Sequence, residues 1–168
     1  MRKHQQKIMM AVFIVVLAAW MGKSFIRNLF PPKMKFAAAE LAIIDNNQPI
    51  TINSLKGNVV IVCCYQTWCI DCARETPVLN QLATGLNADK FKIIYISDED
   101  AGKVNLFRQR FSSDKILFTK SANRLQDFGI NVYPTTFLLN KKGEVVKTKL
   151  EGYDWLKETE TIKKLMQD

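Results

Sequence analysis

At 168 residues the chain has room for one ordinary domain and a short appendage. Its net charge of +8 is lopsided: residues 1–35 hold seven Lys/Arg and no acid, while residues 36–168 set 17 basic residues against all 16 acidic ones. A body so close to neutral lacks the basic face that a nucleic-acid binder uses, so nucleic acid is not an expected partner.

The chain opens on a basic stretch, Met1 to Lys7, followed by an uncharged apolar run from Ile8 to Gly22. No polar face interrupts that run, which sets it apart from a core helix of a globular domain. It falls short of the ~20 residues a spanning helix prefers. Ser24, Phe25, Ile26, Leu29 and Phe30 extend it if Lys23 and Arg27 snorkel toward the headgroups. The small-residue triplet Ala37-Ala38-Ala39 lies too far beyond the run for a comfortable signal-peptidase site. The expectation is therefore an uncleaved membrane anchor over residues 1–30, with a cleaved signal as the alternative, a linker over 31–40 broken by Pro31-Pro32, and a single domain over 41–168. Basic side chains on both sides of the apolar run leave its orientation undecided by charge.

Within the body, residues 41–44 and 49–52 read as a hairpin around Asp45-Asn46-Asn47-Gln48, and Asn53 to Gly57 as a tight turn. Asn58 to Tyr65 is a dense β-branched and apolar run that suits a strand buried on both faces. Ile70 to about Ala83 has helical spacing, with Val78, Leu79 and Leu82 on one side. Phe91 to Ile96 is a second central strand, and Ser97-Asp98-Glu99-Asp100 is a capping cluster for a helix toward Phe111. A short strand at Ile116-Leu117-Phe118 and a brief helix from Arg124 to Phe128, ended by Gly129, come next. Thr136–Asn140 and Glu144–Leu150 form a hairpin, and a terminal helix carries Trp155, Ile162, Leu165 and Met166 to the sheet. Alternating strands and helices that close in a hairpin and helix give an α/β fold with a central mixed sheet flanked by helices.

The chemistry lies at Cys69-Ile70-Asp71-Cys72, where the buried strand hands over to the helix. At a helix N-terminus, unpaired N–H groups and the helix dipole stabilise a thiolate, the attacking species in disulfide exchange. Cys72, one turn later, is placed to resolve a mixed disulfide. Two cysteines three apart can also be half a zinc site or simply buried small side chains. Zinc needs two more ligands. The single histidine, His4, precedes the apolar run, and Cys63 and Cys64 are strand neighbours pointing to opposite faces. A metal is not expected, and Cys63 and Cys64 read as buried strand residues.

The segment Val59 to Cys72 resembles the active-site strand of thioredoxins, with Trp68 at the tryptophan before the reactive cysteine. Its continuation, Ala73-Arg74-Glu75-Thr76-Pro77, is similar to the TlpA/ResA branch of membrane-anchored thioredoxin-like oxidoreductases. Phe128 to Leu139 is similar to that family's cis-proline loop and following strand. The resemblance covers about residues 41–166 and implies a thioredoxin fold with an N-terminal β-hairpin and one inserted helix and strand. It implies a cis Pro134, which the sequence alone leaves open against a trans proline at a strand start. Tyr133, before it, would face Cys69, and Trp68, Tyr133 and Pro134 would bind the substrate chain. Glu75 would move the proton of Cys72, a task that a buried Asp performs in thioredoxin, where this chain has Cys63. The alternative for Glu75 is a solvated helix carboxylate.

The implied function is thiol:disulfide oxidoreduction by the Cys69–Cys72 dithiol, with no other cofactor. Asp71 beside Cys69 opposes thiolate formation and leans toward a reductant. The family implies disulfide-bearing exported proteins as substrates, including apocytochrome c in cytochrome c maturation. It implies a membrane thiol donor of the CcdA/DsbD kind, and a bacterial envelope location with the domain outside the cytoplasm. A DsbA- or DsbC-like oxidase or isomerase would use the same residues with the opposite redox poise. A copper metallochaperone needs a histidine in the body, and residues 5–168 have none. A thiol peroxidase fits the vicinal pair behind Trp68 less well than exchange chemistry.

Overall fold

The computed structural model describes residues 2–29, 33–35, 37–111 and 115–168, and the chain divides into two compact units, Met1–Pro31 and Pro32–Asp168. The first unit is one helix, α1 (Arg2–Leu29), whose side chains from Ile8 to Trp20 are all exposed. Among the described residues no helix is long and apolar enough to cross a membrane. The break expected at Pro31-Pro32 and the side chains of Lys23 and Arg27 lie outside the described residues.

The second unit is built on a seven-stranded mixed sheet. Its strands are β1 (Leu41–Ile43), β2 (Pro49–Ile50), β3 (Val59–Cys64), β4 (Phe91–Ser97), β5 (Ile116–Ser121), β6 (Thr135–Leu139) and β7 (Val145–Leu150), in the order β2-β1-β5-β4-β3-β6-β7. The pairs β3–β4 and β4–β5 run parallel and all other pairs antiparallel. Every residue of β3 is buried, as its unbroken apolar run requires of a strand covered on both faces.

Strand alternation divides the core in two. Val59, Ile61 and Cys63 of β3 join Ile93 and Tyr95 of β4 beneath α2 (Ile70–Thr84), α3 (Ala101–Phe111) and α4 (Thr159–Gln167). Val60, Val62 and Cys64 join Ile94, Ile96 and Phe137 on the other face, under the short 3-10 turns Ile52–Leu55 and Leu125–Phe128. Cys63 and Cys64 therefore sit in different cores, both fully buried. Gly129 ends the second 3-10 turn with φ 82°, a left-handed conformation that glycine adopts without a Cβ clash.

Two expectations change in detail. Part of the segment read as a linker lies on the body: Met34, Ala37 and Ala39 pack against the second core, and the Ala37 carbonyl accepts the Asn53 N–H at 3.0 Å. The Ala37-Ala38-Ala39 triplet is thus held by packing and a backbone bond. The acidic run 97–100 does less capping than its composition implied. Among the described residues only Asp100 bonds into α3, through the Gly102 N–H at 2.8 Å, while Asp98 and Glu99 reach across to the loop after β3.

Tyr65, just beyond β3, packs against Tyr95, Phe107 and Phe118, yet its hydroxyl has no partner among the described residues. A buried donor left unpaired costs about 1–3 kcal/mol. Tyr65→Phe is therefore expected to raise stability by roughly 1 kcal/mol, read as a higher urea midpoint at unchanged slope. A lower midpoint would mean that the hydroxyl has found a partner.

Candidate functional site

The site lies at the carboxyl ends of the parallel strands β3 and β4, where α2 begins. Cys69 is the N-cap of α2: its backbone is extended (φ −78°, ψ 116°), and its Sγ accepts the Cys72 N–H at 3.1 Å. That bond satisfies one of the first-turn N–H groups, as capping oxygens do elsewhere. Cys69 and Cys72 are joined by a disulfide. Cys69 is 7% exposed and Cys72 0%, so Cys69 is the more accessible of the two sulfurs.

The loop carrying Cys69 is clamped from β4. The Gln66 amide donates to Asp98 Oδ1 at 2.6 Å, and the other Asp98 oxygen accepts the Leu125 N–H at 2.7 Å. Glu99 accepts both the Thr67 N–H and the Thr67 hydroxyl, the latter at 3.0 Å. These two acids, expected from the sequence to cap α3, instead hold the loop before Cys69. Their local spacing carried no sign of partners more than thirty positions away.

Trp68 and Tyr133, two of the predicted flanking residues, come together. The Tyr133–Pro134 peptide is cis, and Tyr133 meets Trp68 edge-to-face with ring centroids 6.1 Å apart. The Tyr133 hydroxyl donates to the Ile130 carbonyl at 3.3 Å, which ties the ring to its own loop. Trp68 and Ile70 are 72% and 64% exposed, apolar surface on either side of Cys69.

Glu75 is no solvated helix carboxylate. It is 3% exposed, on the core side of α2, with Oε1 accepting the Trp155 indole N–H and the Thr136 hydroxyl, the latter at 3.3 Å. Its Oε2 has no hydrogen-bond partner among the described residues. Burial pushes its pKa up to about 7, against the two hydrogen bonds that favour the charged form; the negative charge of Asp71 raises it further. Asp71 itself is half exposed and pairs with Arg74 at 3.3 Å. Beneath Glu75, Thr136, Cys63 and Tyr95 form one cross-strand row. Burial and the Glu75 charge hold the Cys63 thiol well above its ordinary value. A cleft of about 250 Å³ opens beside α2, lined by Asp71, Arg74, Glu75, Val78 and the Gly152-Tyr153-Asp154 turn. Among the described residues there is no cluster of side chains able to hold a metal ion.

The AhpC/TSA family model matches residues 33–148. The chain belongs to the AhpC/TSA family. It is also similar to the thiol-disulfide oxidoreductase ResA of Geobacillus thermodenitrificans, 28% identical over 154 residues that cover 88% of each chain. Among solved structures, a protein of Neisseria meningitidis assigned as a thioredoxin superposes with a TM-score of 0.67 at 22% identity, over 81% of this chain and 93% of that one. The exposed lipoprotein thioredoxin of Streptococcus pneumoniae gives 0.63 at 18% identity, over 74% and 97%. The fold is that of thioredoxin, and this AhpC/TSA-family chain is a TlpA/ResA-like thiol:disulfide oxidoreductase.

In this AhpC/TSA-family enzyme the raised Glu75 pKa makes stability depend on pH. The folded chain keeps a proton on Glu75 that the unfolded chain releases near the ordinary value of 4.5, so stability falls as pH rises from there to about 7. Glu75→Gln is expected to stabilise the oxidised protein by an amount on the order of 3 kcal/mol at pH 8, and by far less at pH 4. Urea titrations of both proteins at the two pH values check this. A pH-independent difference would show that Glu75 does not carry the raised pKa.

Proposed function

We propose that the protein is a dedicated reductant of disulfides in exported proteins, with Cys69 attacking, Cys72 resolving and Glu75 serving as the base for Cys72. The observation that carries this reading is the stacking of the three groups in depth. Cys69 lies at the helix N-cap facing the surface, Cys72 behind it, and a buried carboxyl of pKa about 7 one turn further along α2. A base poised near neutral pH is suited to take and return a proton at working pH.

In the forward reaction the Cys69 thiolate attacks one sulfur of the target disulfide. The target's other sulfur leaves as a thiolate, and a mixed disulfide forms at Cys69. The target lies along the Trp68 and Tyr133–Pro134 surface. Cys72 gives its proton to the Glu75 carboxylate, attacks Cys69 Sγ and expels the second target thiolate. The target gains two electrons and the pair ends as the disulfide. A membrane thiol donor of the CcdA/DsbD kind then restores the dithiol, so no bound cofactor is required.

The direction of electron flow is supported by charge. Asp71 and Glu75 both oppose negative charge on the reduced pair, and a poorly stabilised thiolate goes with a reducing couple. Arg74, paired with Asp71, offsets part of that effect. The alternative is a DsbA- or DsbC-like oxidase or isomerase built on the same residues. Apocytochrome c cysteines, within cytochrome c maturation, are the target class that the TlpA/ResA resemblance implies. The ResA relatives and the lipoprotein neighbour also support an extracytoplasmic domain on the bacterial envelope. Helix α1, with its exposed apolar stretch from Ile8 to Trp20, would be the anchor.

Two measurements test the reading. Equilibration of the Cys69–Cys72 couple against dithiothreitol buffers is expected to give a potential near or below thioredoxin's ~ −270 mV; a value near the ~ −120 mV of DsbA would make the protein an oxidant. With oxidised insulin as target, reduced Cys72→Ser is expected to accumulate a mixed disulfide that dithiothreitol dissolves, whereas Cys69→Ser accumulates none. Equal trapping by both variants would overturn the assignment of attacker and resolver.

A further inference from the structure

Glu75 is a buried carboxyl with asymmetric partners, and the asymmetry comes from one side chain remote in sequence. Both hydrogen bonds to Glu75, from the Trp155 indole N–H and the Thr136 hydroxyl, end on Oε1; Oε2 receives none among the described residues. An indole N–H only donates, so it cannot reverse to accept from a protonated Oε1. A hydroxyl could reverse, but the indole keeps that oxygen an acceptor. The proton that Glu75 takes up is thereby directed to Oε2.

Trp155 is itself held in place from several directions. It is fully buried in the 3-10 turn Trp155–Glu158, with the Tyr153 ring edge-on at 5.3 Å. The Tyr153 hydroxyl donates to Glu158 Oε1 at 2.7 Å, and Lys147 Nζ donates to the same oxygen at 2.5 Å. Burial of the indole ring alone would be ordinary core packing. A buried indole N–H needs an acceptor, and here the acceptor is a carboxylate oxygen of Glu75, one turn beyond Cys72 on α2.

We propose that Trp155 is a positioning residue for disulfide exchange: its N–H fixes Glu75 Oε1 as an acceptor and leaves Oε2 as the atom that exchanges the proton of Cys72. This rests on the role given to Glu75 above. The titratable and charged groups around Glu75 are Asp71, Cys72 and Arg74 on α2, Cys63 on β3, Tyr95 on β4, and Tyr153 and Asp154 across the cleft. Arg74, the cation among them, is exposed and paired with Asp71. The hydrogen bonds from Trp155, first, and Thr136 are what lower the Glu75 pKa against burial.

The test uses the reduced full chain and the aromatic disulfide 5,5′-dithiobis(2-nitrobenzoate) in a stopped-flow instrument. Attack by Cys69 breaks the reagent's S–S bond and releases one aromatic thiolate. Attack by Cys72 on the mixed disulfide forms the Cys69–Cys72 bond and releases the second, so the two phases report the two steps separately. Trp155→Phe keeps a ring in the core and removes the N–H. It is expected to move the pH midpoint of the second phase up by about one unit and slow that phase about fivefold at pH 7, with the first phase and the high-pH plateau retained. Thr136→Val is expected to shift the midpoint the same way by less, and Thr136→Ser to leave it in place. Glu75→Gln, the control, is expected to flatten the profile. A flattened Glu75→Gln profile with unmoved midpoints in Trp155→Phe and Thr136→Val would make Trp155 a packing residue only. An unchanged Glu75→Gln profile would instead overturn the role of Glu75 itself.

Discussion

A carboxyl group buried without a dedicated cation is the constraint around which this site is arranged. Removing Glu75 from water opposes its ionisation, and two neutral donors, not an ion pair, return part of the lost solvation. A lysine or arginine in their place would fix the charge and depress the pKa, leaving a weak base near neutral pH. Neutral donors leave the group balanced between its two states. The disposition of β6, the turn before α4 and the first turns of α2 all serve that balance: Thr136 comes from the first, Trp155 from the second and Glu75 from the third.

The other requirement is rigidity at the outer cysteine, Cys69. Cys69 lies in a loop, and loops are the mobile part of most folds. Here the loop is tied by charged acceptors on the adjacent strand end, Asp98 to Gln66 and Glu99 to Thr67, and bonds to ionised groups are among the stronger hydrogen bonds available. Asp98 also holds the Leu125 N–H, so one carboxylate joins the cysteine loop to the turn that leads toward Tyr133 and Pro134. The Cys69 loop and the segment leading to Tyr133 and Pro134 are thus referenced to the same residue.

Local pattern carried much of this architecture into the sequence. The unbroken apolar run of β3, the spacing of α2 and the Cys-x-x-Cys at their junction are short-range signals, and the residues that show them are contiguous. The hairpin of β6 and β7 and the glycine stop at Gly129 were legible for the same reason. What stayed hidden was determined by pairing between distant segments. Glu75 and Trp155 are 80 positions apart, and Gln66 and Asp98 are 32 apart; no periodicity links either pair. One signal was available: a tryptophan buried on a sheet needs an acceptor for its N–H, and Glu75, one turn beyond Cys72, was a carboxyl able to supply it once its helix packed on the sheet. The acidic run at 97–100 misled because capping and cross-loop bonding draw on the same residue types.

Cys63 and Cys64 are safe only because the sheet has closed over both its faces. Before closure the chain presents four thiols, which allow three different two-bridge pairings, and only the folded state separates the working pair from the silent one. In an oxidising compartment the order of events would matter: β3 would have to be enclosed by β4 and β6 before oxidant arrives. Under such conditions the pair of adjacent cysteines would make folding a race between sheet formation and oxidation, a vulnerability that the closed sheet no longer shows.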